Sequence, residues 1–441
     1  MKKVLALALS TAVIVSSLAG CGQTAAPAEA PDNTASEAEG GAEAPSETSD
    51  GVTINVISSD DFAGFRQEVI KEFTEETGIN VNFVSVGYSA LHQKEVTAFA
   101  SGADTYDVVD VDCIWTPEYV ENGYLECIDD RLTDEQKEGI IDVAMDVIRY
   151  QDKVYGLPMF NDVDFMYYNK DILSRGGFTE PPKTWDEFTE VCLSLQEQGL
   201  VDYGTSWGWA QAEGLVCFYL AFVETYGGHL TDENGVPTLN TPENVEALTY
   251  MVDSLYESEI SAPSSITDDD RGVINNFGQG NIAFGSSWSF AWGEFNDESS
   301  SKVTGNVGVM QWPGTSKKES ATCAGSMGLA ITSTSTHKDE AWQFIEFLAS
   351  KDIQKRQAIE AGALPIWADL YNDPDLVASQ DCLPDMLKQL ETAVNRPSLV
   401  WYNEFSDVLQ IELQNALTQA KSPQETLDDA QEQVMAIMEN Q

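Results

Sequence analysis

Residues 52–86, VTINVISSDDFAGFRQEVIKEFTEETGINVNFVSV, contain the pattern that decides the fold class. Residues 52–57 alternate between apolar and other side chains, as strands do, and the polar residues that follow are typical of a helix start. Apolar residues then recur at helical spacing from Phe65 to Phe73, and Gly78 stands where a glycine often closes a helix. Residues 79–83 alternate again. This stretch therefore predicts strand, helix and strand.

The pattern continues with a second helix near residues 88–101 and with a buried strand, DVVDVD, at residues 107–112. The order β-α-β-α-β predicts an α/β fold with a parallel sheet covered by helices. Ligands of such sheets bind beyond the carboxyl ends of the strands, where Asp60, Asp61 and Asp112 lie. Helix capping is the alternative explanation for Asp60 and Asp61, and a solvated loop is the alternative for Asp112.

The length and net charge of the chain limit the classes of function that we expect. The chain has 441 residues, 42% of them hydrophobic, and a formal net charge of −50. This length predicts a large core and two or more lobes. Such an acidic surface repels phosphate backbones and anionic lipid headgroups, so we expect neither nucleic-acid binding nor docking on a membrane surface. His92, His229 and His337 are widely separated, so no metal site is expected.

The N-terminus has the pattern of an export signal. Lys2 and Lys3 precede a short apolar run, and Leu18-Ala-Gly-Cys21 resembles a lipobox. Residues 1–20 are thus predicted to be a signal peptide, and Cys21 to carry a lipid anchor on the extracytoplasmic face of the cell membrane. Residues 21–50 are small, polar or acidic, which predicts a disordered linker. Ordinary signal cleavage beside an incidental cysteine is the alternative.

Six stretches, in order, resemble the extracellular solute-binding proteins of sugar ABC importers, in particular the maltose/trehalose-binding group. They are residues 107–129, 155–173, 211–228, 276–292, 325–348 and 396–417. The resemblance implies a two-lobed periplasmic-binding-protein-like fold of type II with a hinge between the lobes. It places the N-terminal lobe at 51–160 plus 313–357 and the C-terminal lobe at 161–312 plus 358–441.

The resemblance also implies a carbohydrate site in the cleft between the lobes. A sugar presents hydroxyl groups and an apolar C–H face, so its site needs carboxylate acceptors, a cationic or amide donor and flat aromatic rings. The residues implied are Asp60, Asp61, Asp112, Trp115, Asp162, Trp209, Glu213, Trp288, Phe290, Gly325, Arg396, Trp401 and Tyr402. Trp209 shares its place with Trp207, and we expect only one of the two to contact ligand. Interlobe packing is the alternative for Trp401 and Tyr402.

One departure from the family concerns the aromatic segment. The family usually has Asn-Trp-Pro-Tyr where this chain has Ser287-Trp-Ser-Phe290, so the tyrosine hydroxyl is lost. The acids of residues 268–270 follow Thr267 at a helix start, where the helix dipole favours them. We therefore interpret them as structural and not as a metal site.

These observations predict a monomeric substrate-binding lipoprotein that captures a carbohydrate, expected to be an oligosaccharide, in the cleft between its lobes and delivers it to the membrane permease of an ABC importer. No cofactor and no enzymatic activity are expected. Two alternatives stay open: the same fold binding a polyamine or another cationic or small solute, and an exported glycosidase using two carboxylates.

Overall fold

The computed structural model describes residues 51–59 and 64–441. The predicted signal peptide, Cys21, the linker at 21–50, Asp60 and Asp61 lie outside the described residues. The described strands are β1 (Thr53–Ser58), β2 (Asn80–Ser85), β3 (Val108–Asp112), β4 (Arg149–Tyr150), β5 (Lys153–Val154), β6 (Gly156–Phe160), β7 (Phe165–Asn169), β8 (Thr205–Ser206), β9 (Phe284–Ser287), β10 (Val307–Met310), β11 (Thr322–Cys323), β12 (Met327–Ile331) and β13 (Ala393–Val394).

The described α-helices are α1 (Phe65–Thr77), α2 (Tyr88–Ala100), α3 (Thr116–Glu121), α4 (Asp134–Gly139), α5 (Asp142–Met145), α6 (Lys170–Arg175), α7 (Trp185–Glu197), α8 (Glu213–Thr225), α9 (Pro242–Tyr256), α10 (Asp270–Gly278), α11 (Ala291–Phe295), α12 (Lys338–Ala349), α13 (Lys351–Ala361), α14 (Pro374–Ser379), α15 (Leu383–Leu390), α16 (Tyr402–Leu417) and α17 (Pro423–Met438). Short 3-10 helices occupy Asp146–Ile148, Pro263–Ile266 and Ala368–Asn372.

A five-stranded sheet forms the core of the N-terminal lobe, in the order β2-β1-β3-β12-β6. β1 is parallel to β2 and to β3, which confirms the predicted β-α-β-α-β unit. β12 returns from far along the chain and pairs antiparallel with β3 on one side and β6 on the other. Every residue of β3 and β12 is buried, as expected for central strands covered on both faces.

A four-stranded sheet, in the order β10-β7-β9-β8, forms the core of the C-terminal lobe. β7 is antiparallel to β10 and β9, whereas β8 is parallel to β9. Trp185, Trp207 and Trp312 pack beside this sheet with their ring centroids 5.8–6.3 Å apart. Helix α16 packs on α8, α9 and α17 and completes the lobe.

Three chain segments meet between the two sheets. Residues Val163 and Ala324 form an antiparallel bridge, and β11 pairs in parallel with β13. The backbone N–H of Gly325 donates to the carbonyl of Asp162 (2.9 Å), and that of Ala324 donates to Val394 (2.9 Å). We call this group of segments the hinge strands. They bring Asp162, Gly325 and the chain leading to Arg396 to one place.

The strands of each sheet fall within the predicted lobes, but the lobe boundaries themselves stay predictions. Near the boundary set at 313, Thr315 still donates to the carbonyl of Thr225 at the end of α8 (2.7 Å). This contact with the C-terminal lobe favours a crossover of the chain between the lobes that lies closer to β11 than to residue 313.

Side-chain caps begin three of the longer helices, α7, α9 and α17. The side chains of Thr184, Thr241 and Ser422 each accept a hydrogen bond from the backbone N–H three residues on. Helix α12 has no such cap: it starts at Lys338, and the hydroxyl of the nearby Thr336 donates to Asp104 Oδ2 (3.1 Å).

The six cysteines of the described chain are free thiols, and Cys127 is the exposed one among them. Across residues 51–59 and 64–441, no helix is both long and apolar enough to pass through a bilayer. Within the same ranges, no cluster of three histidine, cysteine or acidic side chains could hold a metal ion.

Candidate functional site

A buried arginine joins the two lobes. Asp112 ends β3 of the N-terminal lobe, and Glu213 begins α8 of the C-terminal lobe. Arg396 lies between them: its Nη2 donates to Asp112 Oδ1 (2.6 Å) and its Nη1 to Glu213 Oε1 (2.9 Å). The exposed fractions of these side chains are 2%, 4% and 19%. The sequence-predicted Asp112, Glu213 and Arg396 therefore meet in one cluster, which we call the Arg396 cluster.

Hydroxyl groups complete the Arg396 cluster. The Tyr88 hydroxyl donates to Asp112 Oδ2 (2.8 Å), while the Tyr402 hydroxyl donates to Glu213 Oε1 (2.7 Å). Ser406 adds a donor to the other oxygen of Glu213. Burial, followed by the charge of the nearby carboxylates, raises the pKa of Tyr88 and of Tyr402 well above the ordinary value. Both hydroxyls therefore remain protonated donors at neutral pH.

Aromatic rings flank the Arg396 cluster. Tyr88 stacks on Trp115 with ring centroids 5.3 Å apart and an interplanar angle of 23°. Trp115 is buried, whereas Tyr88 is 38% exposed: its hydroxyl group is enclosed beside Asp112, and part of its ring faces solvent. Trp401 is buried and packs edge-on against Phe405 at 5.9 Å. This packing, within the first turn of α16, favours a structural role for Trp401 over direct stacking on a ligand.

Trp288 lies at the carboxyl end of β9, in the C-terminal lobe. Its ring covers the backbone of Gly325, where an added Cβ would come within 2.2 Å of the indole. Its Nε1 donates to Asp270 Oδ2 (3.2 Å), and its carbonyl accepts from the Tyr167 hydroxyl (2.9 Å). The ring is only partly buried. Glycine at 325 thus lets a fixed aromatic surface lie against the hinge strands.

Phe290 is also accessible, with 36% of its surface exposed. The guanidinium of Arg271 lies 5.4 Å from the centre of its ring, and Arg271 is paired with Glu294. A cation within about 6 Å of an aromatic face is attracted to the ring. The contact with Arg271 therefore holds the Phe290 ring, which lacks the hydroxyl of the family's usual tyrosine.

Asp162 lies between the hinge strands and Trp288. Its Oδ1 accepts from the backbone N–H groups of Ser289 and Val163, both at 2.9 Å. Burial raises its pKa to about 7, although these hydrogen bonds act in the opposite direction. Asp164 accepts from Ser286, and burial raises the pKa of Asp164 well above the ordinary value. Asp162 is thus poised to change protonation near neutral pH.

Trp209 lies apart from these groups. It is fully buried and stacks on Trp207 with centroids 5.4 Å apart and an interplanar angle of 2°. Both rings belong to the aromatic core beside the four-stranded sheet. The packing therefore favours a core role for Trp209 over the predicted ligand contact.

Three residues near the site were not expected from the sequence. Tyr88 and Ser406 carry no local signal, because their partners lie 24 and 193 positions away. Asp270 belongs to the acidic run interpreted as structural. Asp269 is indeed the cap of α10, accepting from Gly272 N–H, but Asp270 reaches Trp288 instead. The signal that could have distinguished Asp270 from Asp269 is the start of a helix close to the predicted aromatic residue Trp288.

Comparison with known proteins agrees with this architecture. The family model for bacterial extracellular solute-binding proteins matches residues 57–355. A probable ABC transporter-binding protein of Deinococcus radiodurans is 27% identical over 384 residues, covering 83% of this chain and 88% of the relative.

Two solved structures resemble the whole described fold. Maltose-bound T. maritima MalE3 has a TM-score of 0.80 at 27% identity and covers 88% of this chain and 100% of its own. An ABC transporter solute-binding protein of Agrobacterium radiobacter K84, in complex with ribitol, has a TM-score of 0.76 at 28% identity, covering 87% and 98%. These matches confirm the two-lobed binding-protein fold with its hinge. Because the family match runs from the end of β1 into α13 and so includes strands of both sheets, the chain belongs to the family of bacterial extracellular solute-binding proteins.

Proposed function

We propose that this protein captures a carbohydrate between its two lobes outside the cytoplasmic membrane and delivers it to the permease of an ABC importer. The observation that carries the proposal is the convergence of the Arg396 cluster, the Trp288 ring and Asp162 at the junction of the lobes. These groups come from both sheets and from the hinge strands.

The chemistry of the convergent groups suits a sugar. Carboxylates accept hydrogen bonds from hydroxyl groups, a guanidinium donates them, and an indole face packs on the C–H face of a sugar ring. Hydrogen bonds to charged groups contribute about 1.5–3 kcal/mol each, so a few of them account for micromolar binding. Maltose and ribitol, the ligands bound to the two similar structures, are a sugar and a polyol, which supports this ligand class.

The site is divided between the two lobes, and this division couples ligand binding to closure of the lobes. Asp112 belongs to the N-terminal lobe, and Glu213 and Trp288 belong to the C-terminal lobe. A ligand that contacts both sides binds the closed form more tightly than the open form, so it shifts the population toward closure. The closed form is then the state that we propose the permease recognises.

The N-terminal predictions belong to the same proposal. Residues 1–20 would direct export, Cys21 would carry the lipid, and residues 21–50 would act as the linker. The protein would work as a monomer, and the sugar would leave it chemically unchanged. Globomycin-sensitive processing and radiolabelled palmitate incorporation that disappears in Cys21→Ala test the anchor.

Calorimetry tests the ligand class directly. The purified chain is titrated with maltose, maltotriose, ribitol, tagatose and spermidine, and we expect micromolar or tighter binding of at least one carbohydrate. Chromatography of the recovered sugar should show no hydrolysis. Tight binding of spermidine alone would favour the cationic-solute alternative, and cleaved sugar would favour the glycosidase.

A pair of glycine variants ties binding to Trp288. Gly325→Val places side-chain atoms where the indole now lies, so we expect at least a tenfold loss of affinity. Gly293→Ala is the matched control, because a Cβ there meets no atom within 4 Å. Equal affinity of the two variants would show that Trp288 does not form part of the site.

A further inference from the structure

The carboxylate of Asp270 is hydrogen-bonded to the indole N–H of Trp288. Asp270 is the first residue of α10, while its neighbour Asp269 caps the helix. Its Oδ2 accepts from the indole N–H of Trp288 at 3.2 Å, so the carboxylate lies at the rim of the ring. The backbone of Gly325 lies so close to the six-membered part of the same ring that an added Cβ would come within 2.2 Å of it. The carboxylate and the hinge strands together therefore fix the orientation of the indole.

The second oxygen of Asp270 is available. Within the described part of the chain, Oδ1 of Asp270 accepts no hydrogen bond, and the residue is only partly buried. The nearest cation in sequence, Arg271, is engaged by both oxygens of Glu294 at 2.7 and 2.5 Å. A sugar stacked on an indole directs its hydroxyl groups outward past the rim of the ring. A carboxylate at that rim is placed to accept from them.

We propose that Asp270 is a specificity-determining residue of the site, which orients Trp288 through one oxygen and accepts a hydrogen bond from the stacked sugar ring through the other. The donor on the ligand is a hydroxyl or a protonated amine at the edge of that ring. This inference rests on the proposed function, since it concerns the same cleft and the same ligand class.

The protonation of Asp270 gives the proposal a signature that a purely structural role lacks. Burial raises the pKa of Asp270 to about 6, with the charge of Asp269 adding to the increase, while the hydrogen bond from Trp288 and the charge of Arg271 oppose it. A ligand donor favours the ionised carboxylate, so affinity should rise as the pH increases through about 6 and level off above it. Asp162 and Asp164 also face this region and respond to the charge of Asp270.

The test compares wild type with Asp270→Asn and Asp270→Ser by calorimetry at pH 5 and pH 8, with the carbohydrate that binds best in the panel. We expect both variants to lose at least tenfold in affinity at pH 8, and the difference from wild type to shrink to about threefold or less at pH 5. Because Asp162 and Asp164 are unchanged, only the variant-dependent part of the pH profile belongs to Asp270. Unfolding midpoints measured in parallel show whether each variant is folded.

Asp269→Asn is the matched control, since asparagine keeps the helix cap and the Trp288 N–H donates to Asp270. Its affinity should stay within twofold of wild type. Titration with the amino-sugar counterpart of the ligand identifies the donor: a preference for the amine that disappears in D270N indicates an ammonium group, and no preference indicates a hydroxyl. Wild-type affinity and an unchanged pH profile in a folded D270N protein would overturn the inference alone, whereas failure of wild type to bind any carbohydrate would overturn the proposed function as well.

Discussion

Arg396 is the residue whose removal should cost the most stability. It is buried and holds Asp112 and Glu213 together from opposite lobes. Breaking a buried pair leaves an uncompensated charge, so Arg396→Met should lower the free energy of unfolding by about 3–5 kcal/mol in urea denaturation. Asp112→Asn and Glu213→Gln combined with R396M should recover much of that loss.

Arg175→Met is the control for Arg396, because Arg175 makes an exposed pair with Asp171 one helical turn away. Exposed pairs of this kind contribute a few tenths of a kcal/mol, and the variant should be close to wild type. Equal stability of R396M and R175M would mean that the Arg396 cluster contributes nothing to the folded state.

Asp162 should make stability depend on pH in an unusual direction. Its pKa rises from the ordinary value of 3.8 to about 7, so between these pH values the folded chain holds a proton that the unfolded chain has lost. Its contribution therefore falls as the pH rises from about 4 to about 7 and is constant above that. Asp162→Asn keeps an acceptor for the Ser289 and Val163 N–H groups but cannot ionise.

We expect the free energy of unfolding of D162N to match that of wild type near pH 4 and to exceed it near pH 8 by up to about 4 kcal/mol, since each pKa unit corresponds to about 1.4 kcal/mol. Thermal or urea unfolding of both proteins from pH 4 to pH 8 gives the difference. A stability difference that does not change with pH would contradict the protonated state of Asp162.

The sequence could identify a site residue only where the residue ends a recognisable strand or belongs to a family motif. Asp112 could be expected because it ends a buried strand, and Arg396, Glu213 and Trp288 because of the resemblance. Trp209 could not be told apart from a site residue, since an indole in the core and an indole in a cleft have the same local sequence. The separate roles of Asp269 and Asp270 depend on one helical turn of geometry, which adjacent acids do not reveal.

Among the secondary-structure elements, those with strong periodicity were predictable and those without it were not. The β1-α1-β2-α2-β3 unit and the closing Gly78 follow the alternation of apolar residues. The insertion of β12 between β3 and β6 could not be derived from local pattern, because it depends on pairing across more than 160 residues. Strands β11 and β13 have two residues each, too few for any period, yet they form the hinge strands.

Helix α13 is linked to the end of β6 by two buried glutamines, Gln354 and Gln357. Gln354 is fully buried; it donates to the carbonyls of Met159 (3.0 Å) and Leu348 (3.1 Å) and accepts from Ile366 N–H (3.1 Å). Gln354→Leu keeps a similar size but removes the hydrogen bonds of the buried Gln354 side chain to the Leu348 carbonyl and the Ile366 N–H, while the Met159 carbonyl keeps its bond from Gln357. We expect a loss of about 2–4 kcal/mol in unfolding free energy, because each unsatisfied group costs about 1–3 kcal/mol.

The control on the same helix is Ile359→Gln, since Ile359 is 44% exposed on the outer face. This substitution should change the free energy of unfolding by no more than about 0.5 kcal/mol. Gln357 also donates to the Met159 carbonyl (3.0 Å), so a Q354L protein as stable as wild type would show that Gln357 alone is sufficient to hold β6.

At the scale of the whole molecule, the Arg396 contacts contribute both to stability and to the balance between open and closed arrangements of the lobes. Arg396 bridges the lobes in this structure, and the hinge strands are the covalent links about which the lobes would turn. Loss of the bridge should shift the protein without ligand toward open forms and should weaken ligand affinity. Saturating ligand should still drive closure through its remaining contacts to both lobes.

Small-angle scattering of wild type and R396M, each free and with saturating carbohydrate, measures this shift. We expect the radius of gyration of free R396M to exceed that of free wild type, and ligand to reduce both toward a common compact value. Ligand at 100 times its dissociation constant should also add about 2.7 kcal/mol to wild-type stability. R175M should scatter like wild type throughout. A radius of gyration unchanged by ligand in both proteins would mean that binding and lobe closure are not coupled, and that the permease must recognise the bound state by something other than its shape.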